Sequence, residues 1–136
     1  PSYISMSTAL RYYGLIPEAV YTTQSMTFKA AKTFNTPIGN FSYTHISQKS
    51  YPIGLVQIKE NGVTYIMASP EKALCDKLYT ITPVSNLTEL KELLFDDLRI
   101  DEDEFEKLDH NTLETLAPLY HSTNLNLLAK LIRRNR

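Results

Sequence analysis

Three charged side chains that could act together, Glu71, Lys72 and Asp76, lie within residues 68–79. Lys72 and Asp76 are four positions apart, so on a helix they would share one face and could form an ion pair worth about 0.2–0.5 kcal/mol if exposed. An acid beside a base could also transfer protons, but the sequence shows no partner set around them. We therefore predict a fixed helix start or, alternatively, a polar surface for a protein partner.

A metal site is not indicated by the sequence. The three histidines, His45, His110 and His121, are far apart, and none forms a ligand-spaced pair. The acidic residues at 101–104 lack the central glycine and the closing glutamate of a calcium loop. We predict no metal, no cofactor and no catalytic residue.

Nucleophilic chemistry has one candidate, Cys75, which lies among apolar residues and is expected to be an inert, small hydrophobic side chain. No nucleophile elbow, Walker loop or dinucleotide fingerprint occurs. Lys59, two positions after Gln57, resembles half of a nuclease motif, yet the preceding strands supply no acidic partner. A divergent, metal-dependent nuclease-like domain is therefore the alternative, and a solvent-facing strand is the simpler interpretation.

The composition predicts one globular domain over residues 1–136. The chain is 43% hydrophobic and 21% charged, and no apolar run approaches the ~20 residues that span a bilayer. Its single cysteine excludes an internal disulfide, which favours a cytoplasmic setting. Because no long apolar run occurs, we expect no membrane contact. Because residue 1 is Pro rather than Met, we expect a fragment or a processed product.

Charge is distributed unevenly along the chain. Residues 1–53 carry a net charge of +3 and residues 54–136 a net charge of −4, within an overall charge of −1. A domain that binds nucleic acid alone has a stronger basic patch. The mildly basic first part is instead a candidate surface for protein contacts.

The first half of the chain predicts one helix and about five short strands. The helix ends at Gly14, with Ser5 or Ser7 as N-cap and a buried stripe that includes Tyr13. Strands are predicted at 19–27, 32–36, 41–47, 55–60 and 63–68, and a loop at 48–52. The pairs 32–47 and 55–68 form hairpins, the second around the Asn61-Gly62 turn.

The second half predicts helices, the first beginning where the last strand ends. Ser69 suits the N-cap, Pro70 the first helical position, and Glu71 the positive end of the helix dipole. Further helices are expected from Asn86, in 101–107, from His110 to a break near Pro118, and from Thr123 or Asn124 to a basic end that includes Arg133, Arg134 and Arg136. Strands grouped before four or five helices indicate an α+β fold, mostly antiparallel.

Three motifs in order resemble the AbiEi-type antitoxins, bacterial regulators of type IV toxin–antitoxin and abortive-infection systems. They are Tyr-Tyr-Gly-Leu-Ile-Pro-Glu at 12–18, Phe-x-Tyr-x-His-Ile at 41–46 and Ala-Ser-Pro-Glu-Lys-Ala-Leu-Cys-Asp-Lys-Leu-Tyr at 68–79. The match spans roughly residues 3–80. Cys75 and Lys77 depart from it, because the family tends to have leucine there, and Lys77 implies a partly solvated side of the helix.

The resemblance implies an antitoxin and transcriptional regulator in phage defence, whose missing N-terminal winged helix binds operator DNA. The present chain would be the following domain, non-enzymatic, with a nucleotidyltransferase-like toxin or its own dimer partner as contact. A third alternative is a dimerisation module alone. The motif residues that we take as contact candidates are Tyr12, Tyr13, Gly14, Pro17, Glu18, Tyr43, His45, Ser69, Pro70, Glu71, Lys72 and Asp76.

Overall fold

The computed structural model describes residues 1–47 and 49–135. Within them a six-stranded sheet is followed by a layer of helices, so the α+β class is confirmed. Two residues of predicted elements lie outside the described ones: Gln48, which begins the predicted loop, and Arg136, at the predicted basic end of the last helix. The strands are β1 (Ser2–Ile4), β2 (Thr22–Thr27), β3 (Lys32–Thr36), β4 (Gly39–His45), β5 (Leu55–Glu60) and β6 (Val63–Ala68).

The sheet is mixed, with the order β3-β4-β2-β1-β6-β5. Both predicted hairpins are present as the antiparallel pairs β3–β4 and β5–β6. The prediction of about five mostly antiparallel strands is confirmed in part: the pairs β1–β2, β3–β4 and β5–β6 are antiparallel, but β1 is a sixth strand that was not predicted, and the pairs β1–β6 and β2–β4 are parallel.

The first helix, α1 (Met6–Tyr12), is shorter than predicted. The residues before its predicted cap, which were not assigned to a strand, form β1, a strand too brief for its alternation to show in the sequence. Ser5 occupies the N-cap position but makes no capping bond with its side chain, and Met6 has a left-handed φ of 52° at this sharp strand-to-helix turn. The predicted buried stripe is confirmed at Met6, Ala9 and Leu10, while Tyr13 is half-buried.

The remaining helices are α2 (Pro70–Tyr79), α3 (Leu87–Lys91), α4 (Glu102–Lys107), α5 (His110–Leu116) and α6 (Thr123–Arg134). The predicted cap at Asn86 is confirmed, since its side chain accepts from the Glu89 N–H at 2.9 Å. A π-helical turn, Glu92–Asp97, extends α3. Pro118 ends α5 as predicted, and a tight 3₁₀ turn, Ala117–Tyr120, follows.

Helix α2 lies at the centre of the helical layer, against α1, α5 and α6. A single apolar core joins it to β1, β2 and β6 through residues such as Leu10, Met26 and Leu74. The hairpin β3–β4 extends away from this core, and all five residues of β3 are exposed. The fold therefore places most of residues 68–79 in the interior, with Tyr79 at the surface, and leaves one margin of the sheet uncovered.

Candidate functional site

The start of α2 is fixed by the capping contacts predicted from the sequence. The Ser69 hydroxyl accepts from the Lys72 N–H at 3.2 Å, and the Ser69 N–H donates to the Gly54 carbonyl at 2.7 Å. Glu71 does not bond back to the loop near Ser69 but accepts from the Asp109 N–H at 3.1 Å. The start of α2 is therefore tied to the start of α5 and to the loop before β5.

Lys72 and Asp76 are both fully buried, with an exposed fraction of 0%. The prediction that they form an exposed contact surface is therefore wrong. Their Nζ and Oδ1 atoms are 3.7 Å apart, so the expected i, i+4 pair does form, inside the protein. The physical reason is that α1, α5 and α6 surround α2 and leave only a few of its residues, such as Lys77 and Tyr79, in contact with solvent.

Three hydroxyl groups from distant parts of the chain donate to the Asp76 carboxyl. Tyr3 on β1 reaches Oδ2 at 2.8 Å, and Ser5 reaches the same oxygen at 2.7 Å. Tyr120, from the turn after α5, reaches Oδ1 at 2.6 Å. Asp76 therefore joins the first strand, the central helix and the C-terminal helices, and both its oxygens have donors.

The Lys72 ammonium is held on the other side of the pair. Its Nζ donates to the Ser50 carbonyl and lies 4.9 Å from the ring centroid of Tyr120 and 5.8 Å from that of Tyr3. Both rings are within the distance at which an aromatic face attracts a cation. The loop around Ser50 is thereby attached to α2.

Burial shifts the acid–base equilibria of this cluster. It raises the pKa of Asp76, against the opposing effects of the Lys72 ammonium and the three hydroxyl donors, and it lowers the pKa of Lys72, against the attraction of Asp76. Burial beside Asp76 also raises the pKa of Tyr3 and of Tyr120 far above the usual range. The raised pKa values keep the hydroxyl groups of Tyr3 and Tyr120 protonated, so that they can donate to Asp76. The attraction between Lys72 and Asp76 offsets part of the cost of burying both groups.

Neither Lys72 nor Asp76 has surface exposed to solvent. Every buried side-chain nitrogen and oxygen atom in the described part of the chain has a hydrogen-bond partner. Two surface clefts, of about 660 and 650 Å³, are lined by other residues, for example Phe95 and Glu102 in one and Arg11 and Pro17 in the other. The Lys72–Asp76 cluster is therefore suited to holding elements together rather than to proton transfer with a ligand.

Cys75 is confirmed as a buried side chain on α2, with an exposed fraction of 0%, and burial beside Asp76 raises its thiol pKa well above the usual range. We predict that the folded protein reacts with a thiol reagent roughly a thousandfold or more slowly than the urea-unfolded protein, because reaction requires opening of the core. Labelling followed by mass spectrometry measures both rates. Equal rates in the two states would show that the thiol is accessible.

The first and third motifs are brought together by a hydrogen bond. The Tyr13 hydroxyl donates to the Ala68 carbonyl at 2.8 Å, and burial raises the pKa of Tyr13 to about 12. Tyr12 packs edge-on against Tyr13, with ring centroids 5.2 Å apart, yet remains 48% exposed. Glu18 lies farther along and pairs with Arg99 at the surface, at 3.3 Å.

The second motif lies apart from the other two, because β2 and β1 separate β4 from β6. Tyr43 packs against Phe34 of β3, with ring centroids 5.9 Å apart. The His45 ring nitrogen Nδ1 is 3.1 Å from the Lys29 carbonyl oxygen. Tyr43 and His45 therefore belong to the uncovered margin of the sheet and do not reach the buried pair.

Of the residues around the buried pair, Ser5 was named from the sequence, but as a possible helix cap rather than as a donor to Asp76. Tyr3, Ser5, Ser50, Gly54 and Tyr120 are distributed over the chain, and none lies in a spacing that marks it. Gly54 is needed because its φ is +78° and an added Cβ would lie 2.9 Å from the Lys72 Cβ. Among these residues, only Gly54, in the loop before β5, is of a residue type that marks a special backbone position in the sequence.

Comparisons of the chain with protein-family models, with curated proteins and with solved structures found no match. The resemblance to the AbiEi-type antitoxins stays a prediction that rests on the three motifs. No group of three or more metal-binding side chains occurs within residues 1–47 and 49–135. Of the helices described, none has the length and apolar character needed to cross a bilayer.

Proposed function

We propose that this chain is the effector domain of an AbiEi-like antitoxin and transcriptional regulator in a bacterial abortive-infection system. It acts in the cytoplasm by protein contacts rather than by catalysis. Its partner is a nucleotidyltransferase-like toxin, and operator DNA is bound by a winged-helix domain of the parent protein. The parent protein thereby represses its own operon and neutralises the toxin.

The burial of Lys72 and Asp76 is the observation that carries this proposal. They are the acid and the base of the motif most specific to the family. Both are buried inside the protein, where they pair with each other. A group with no access to solvent cannot act on a substrate in this conformation. The motif is then explained by the stability of the domain, and the activity is assigned to its surface.

Tyr12 is the exposed motif residue best suited to such a contact. Its ring is held edge-on by Tyr13, and Tyr13 is anchored to Ala68 at the start of the third motif. A tyrosine ring held in place loses little conformational freedom on binding, which is why tyrosine is enriched among residues that dominate interface energies.

We expect Tyr12→Ala to weaken binding of the partner toxin about tenfold or more, through loss of a fixed aromatic contact. Tyr21→Ala is the matched control, because Tyr21 is 88% exposed and lies outside the motifs. The assay expresses the parent protein with the product of its neighbouring gene, scores rescue of growth and measures affinity by calorimetry. The proposal fails if the neighbouring product is harmless and no operator is bound, whereas equal loss in both variants excludes Tyr12 as the contact.

The nuclease-like alternative is not favoured by any observation. Lys59 is exposed on β5, at the margin of the sheet, whereas the carboxyl of Asp76 is fully buried. The dimerisation alternative predicts association through a surface of the domain. Sedimentation at several protein concentrations separates it from the contact proposed here.

A further inference from the structure

Strand β3 is an open edge of the sheet. It pairs with β4 on one side only, and the strand order places it at the margin of the described sheet. All its residues are exposed, so its outer backbone N–H and C=O groups face solvent. Such an edge can pair with an extended segment of another chain.

A cleft of about 350 Å³ lies over one face of the sheet and reaches this edge, since its lining extends from Phe34 on β3 across Tyr43 on β4 to Thr27 on β2. Phe34 and Tyr43 form its aromatic part, in edge-to-face contact. Thr27, which is buried, fixes the neighbouring chain, because its hydroxyl donates to the Pro1 carbonyl at 3.0 Å and accepts from the Lys29 N–H at 3.1 Å. The cleft is therefore built by the fold rather than formed by mobile side chains.

The charge of the cleft is entirely positive. Lys29 and Lys32 line it, and no acidic side chain does. They are two of the four basic residues in the first 53 positions, where Glu18 is the only acid. The cleft thus concentrates positive charge on a chain whose net charge is −1, which favours an acidic occupant.

The pairing register of β3 and β4 places the charge of Lys32 next to the aromatic rings. Lys32 and Phe34 are two positions apart on β3, so their side chains lie on the same face, about 7 Å apart along the strand. Tyr43 is the cross-strand partner of Lys32 and lies on that face as well. An added strand with an apolar residue and an acid two positions apart matches this pattern.

We propose that β3 binds an extended acidic segment of a protein partner as a seventh strand of the sheet. One apolar side chain of the segment packs against Phe34 and Tyr43, and one carboxylate pairs with Lys29 and Lys32. This inference rests on the proposed function, which assigns the activity of the domain to protein contacts. It adds the surface that makes the contact and the chemistry of the segment that binds there.

The test uses the 136-residue protein and a labelled, terminally blocked probe peptide, Ser-Thr-Val-Thr-Glu-Thr-Ser, in which Val and Glu share one face. A second probe carries Lys in place of Glu. We expect the Glu peptide to bind about tenfold more tightly than the Lys peptide by fluorescence anisotropy, and added salt to reduce the difference. Hydrogen exchange should slow at the β3 amides when the Glu peptide is bound.

Charge reversal provides the decisive control. Lys32→Glu should invert the preference, so that the Lys peptide binds more tightly, whereas Lys49→Glu, an exposed lysine outside the cleft, should leave it unchanged. Phe34→Ser should abolish binding of both probes, and Ile38→Ser, at a position 90% exposed on the hairpin turn, should not.

The inference is overturned if the two probes bind equally, if Lys32→Glu fails to invert the preference, or if protection appears at β5 rather than β3. It is also overturned if sedimentation shows a dimer that Lys32→Glu dissociates, since a second copy would then occupy the edge. Because neither probe contains the toxin, failure here leaves the growth-rescue result for Tyr12→Ala standing, and failure of that rescue leaves the peptide result standing.

Discussion

Replacing Lys72 with methionine is expected to lower the free energy of unfolding by about 3–5 kcal/mol. Methionine fills nearly the same volume, so the loss comes from leaving the Asp76 carboxyl buried without its cation rather than from a cavity. The Ser50 carbonyl also loses the ammonium donor. Urea unfolding followed by circular dichroism measures the change.

This loss should depend on pH with a definite sign. Burial already raises the pKa of Asp76, and removal of Lys72 takes away the attraction that opposes the rise. A carboxyl whose pKa is higher in the folded state than in the unfolded state contributes stability below its unfolded pKa, near about 3.9, and loses it as pH rises through the folded pKa. The deficit of Lys72→Met should therefore grow as pH increases from about 4 towards 7.

Lys107→Met is the matched control for this variant. Lys107 pairs with Glu104 at 3.0 Å on the exposed face of α4, where water solvates both partners. Its urea midpoint should remain close to that of the unchanged protein, because exposed pairs contribute little. Equal midpoints for Lys72→Met and Lys107→Met would contradict a structural role for the buried pair.

Gly54→Ala should be the second most damaging of these substitutions, at about 2–5 kcal/mol. A left-handed residue with a side chain costs about 1–2 kcal/mol, and overpacking adds about 1–3 kcal/mol. The new Cβ would lie 2.9 Å from the Lys72 Cβ and 3.3 Å from the Ser69 hydroxyl. It would therefore disturb the buried lysine and the cap of α2 together.

Gly14→Ala separates these two contributions. Gly14 has the same φ of +78°, and nothing lies within 4 Å of its added Cβ. We expect this variant to lose only the backbone part, about 1–2 kcal/mol. If both alanine variants unfold at the same urea concentration, the close approach of Gly54 to Lys72 has no energetic consequence.

Local chemistry was sufficient to predict the elements of the fold that depend on it. The Asn61-Gly62 turn has positive φ at both residues, 50° and 77°, and the hairpin around it has the predicted strand limits. The cap at Ser69 with Pro70 behind it was predicted for the same reason, since a cap involves residues only three positions apart.

The strand β1 and its pairing could not be predicted in this way. Its three residues are too few to display an alternation, and its partners are β2 and β6, about 25 and 60 positions away. Nothing near Ser2 or Ile4 in the sequence distinguishes a short central strand from an irregular segment that leads into the helix. The parallel pairing of β1 with β6 depends on the whole fold.

The burial of Lys72 and Asp76 could not be predicted from the sequence, for a related reason. Lys72 and Asp76 have the spacing of an ordinary exposed ion pair, and charged side chains are rarely buried completely. The groups that compensate them, including the Tyr3 and Tyr120 hydroxyls, lie 73 and 44 positions from Asp76. Only the tertiary structure shows that Asp76 has these donors.

The most direct test of the account is the coupling free energy between Lys72 and Asp76. It is measured by urea unfolding of Lys72→Met, Asp76→Asn and the double variant, in which Asn keeps one acceptor oxygen in place of the two that the hydroxyls of Tyr3, Ser5 and Tyr120 contact. A buried pair predicts that the double variant loses about 1–3 kcal/mol less than the sum of the two single losses, because neither charge is then left alone. Small single losses that simply add would contradict the conclusion that this motif serves the interior of the protein.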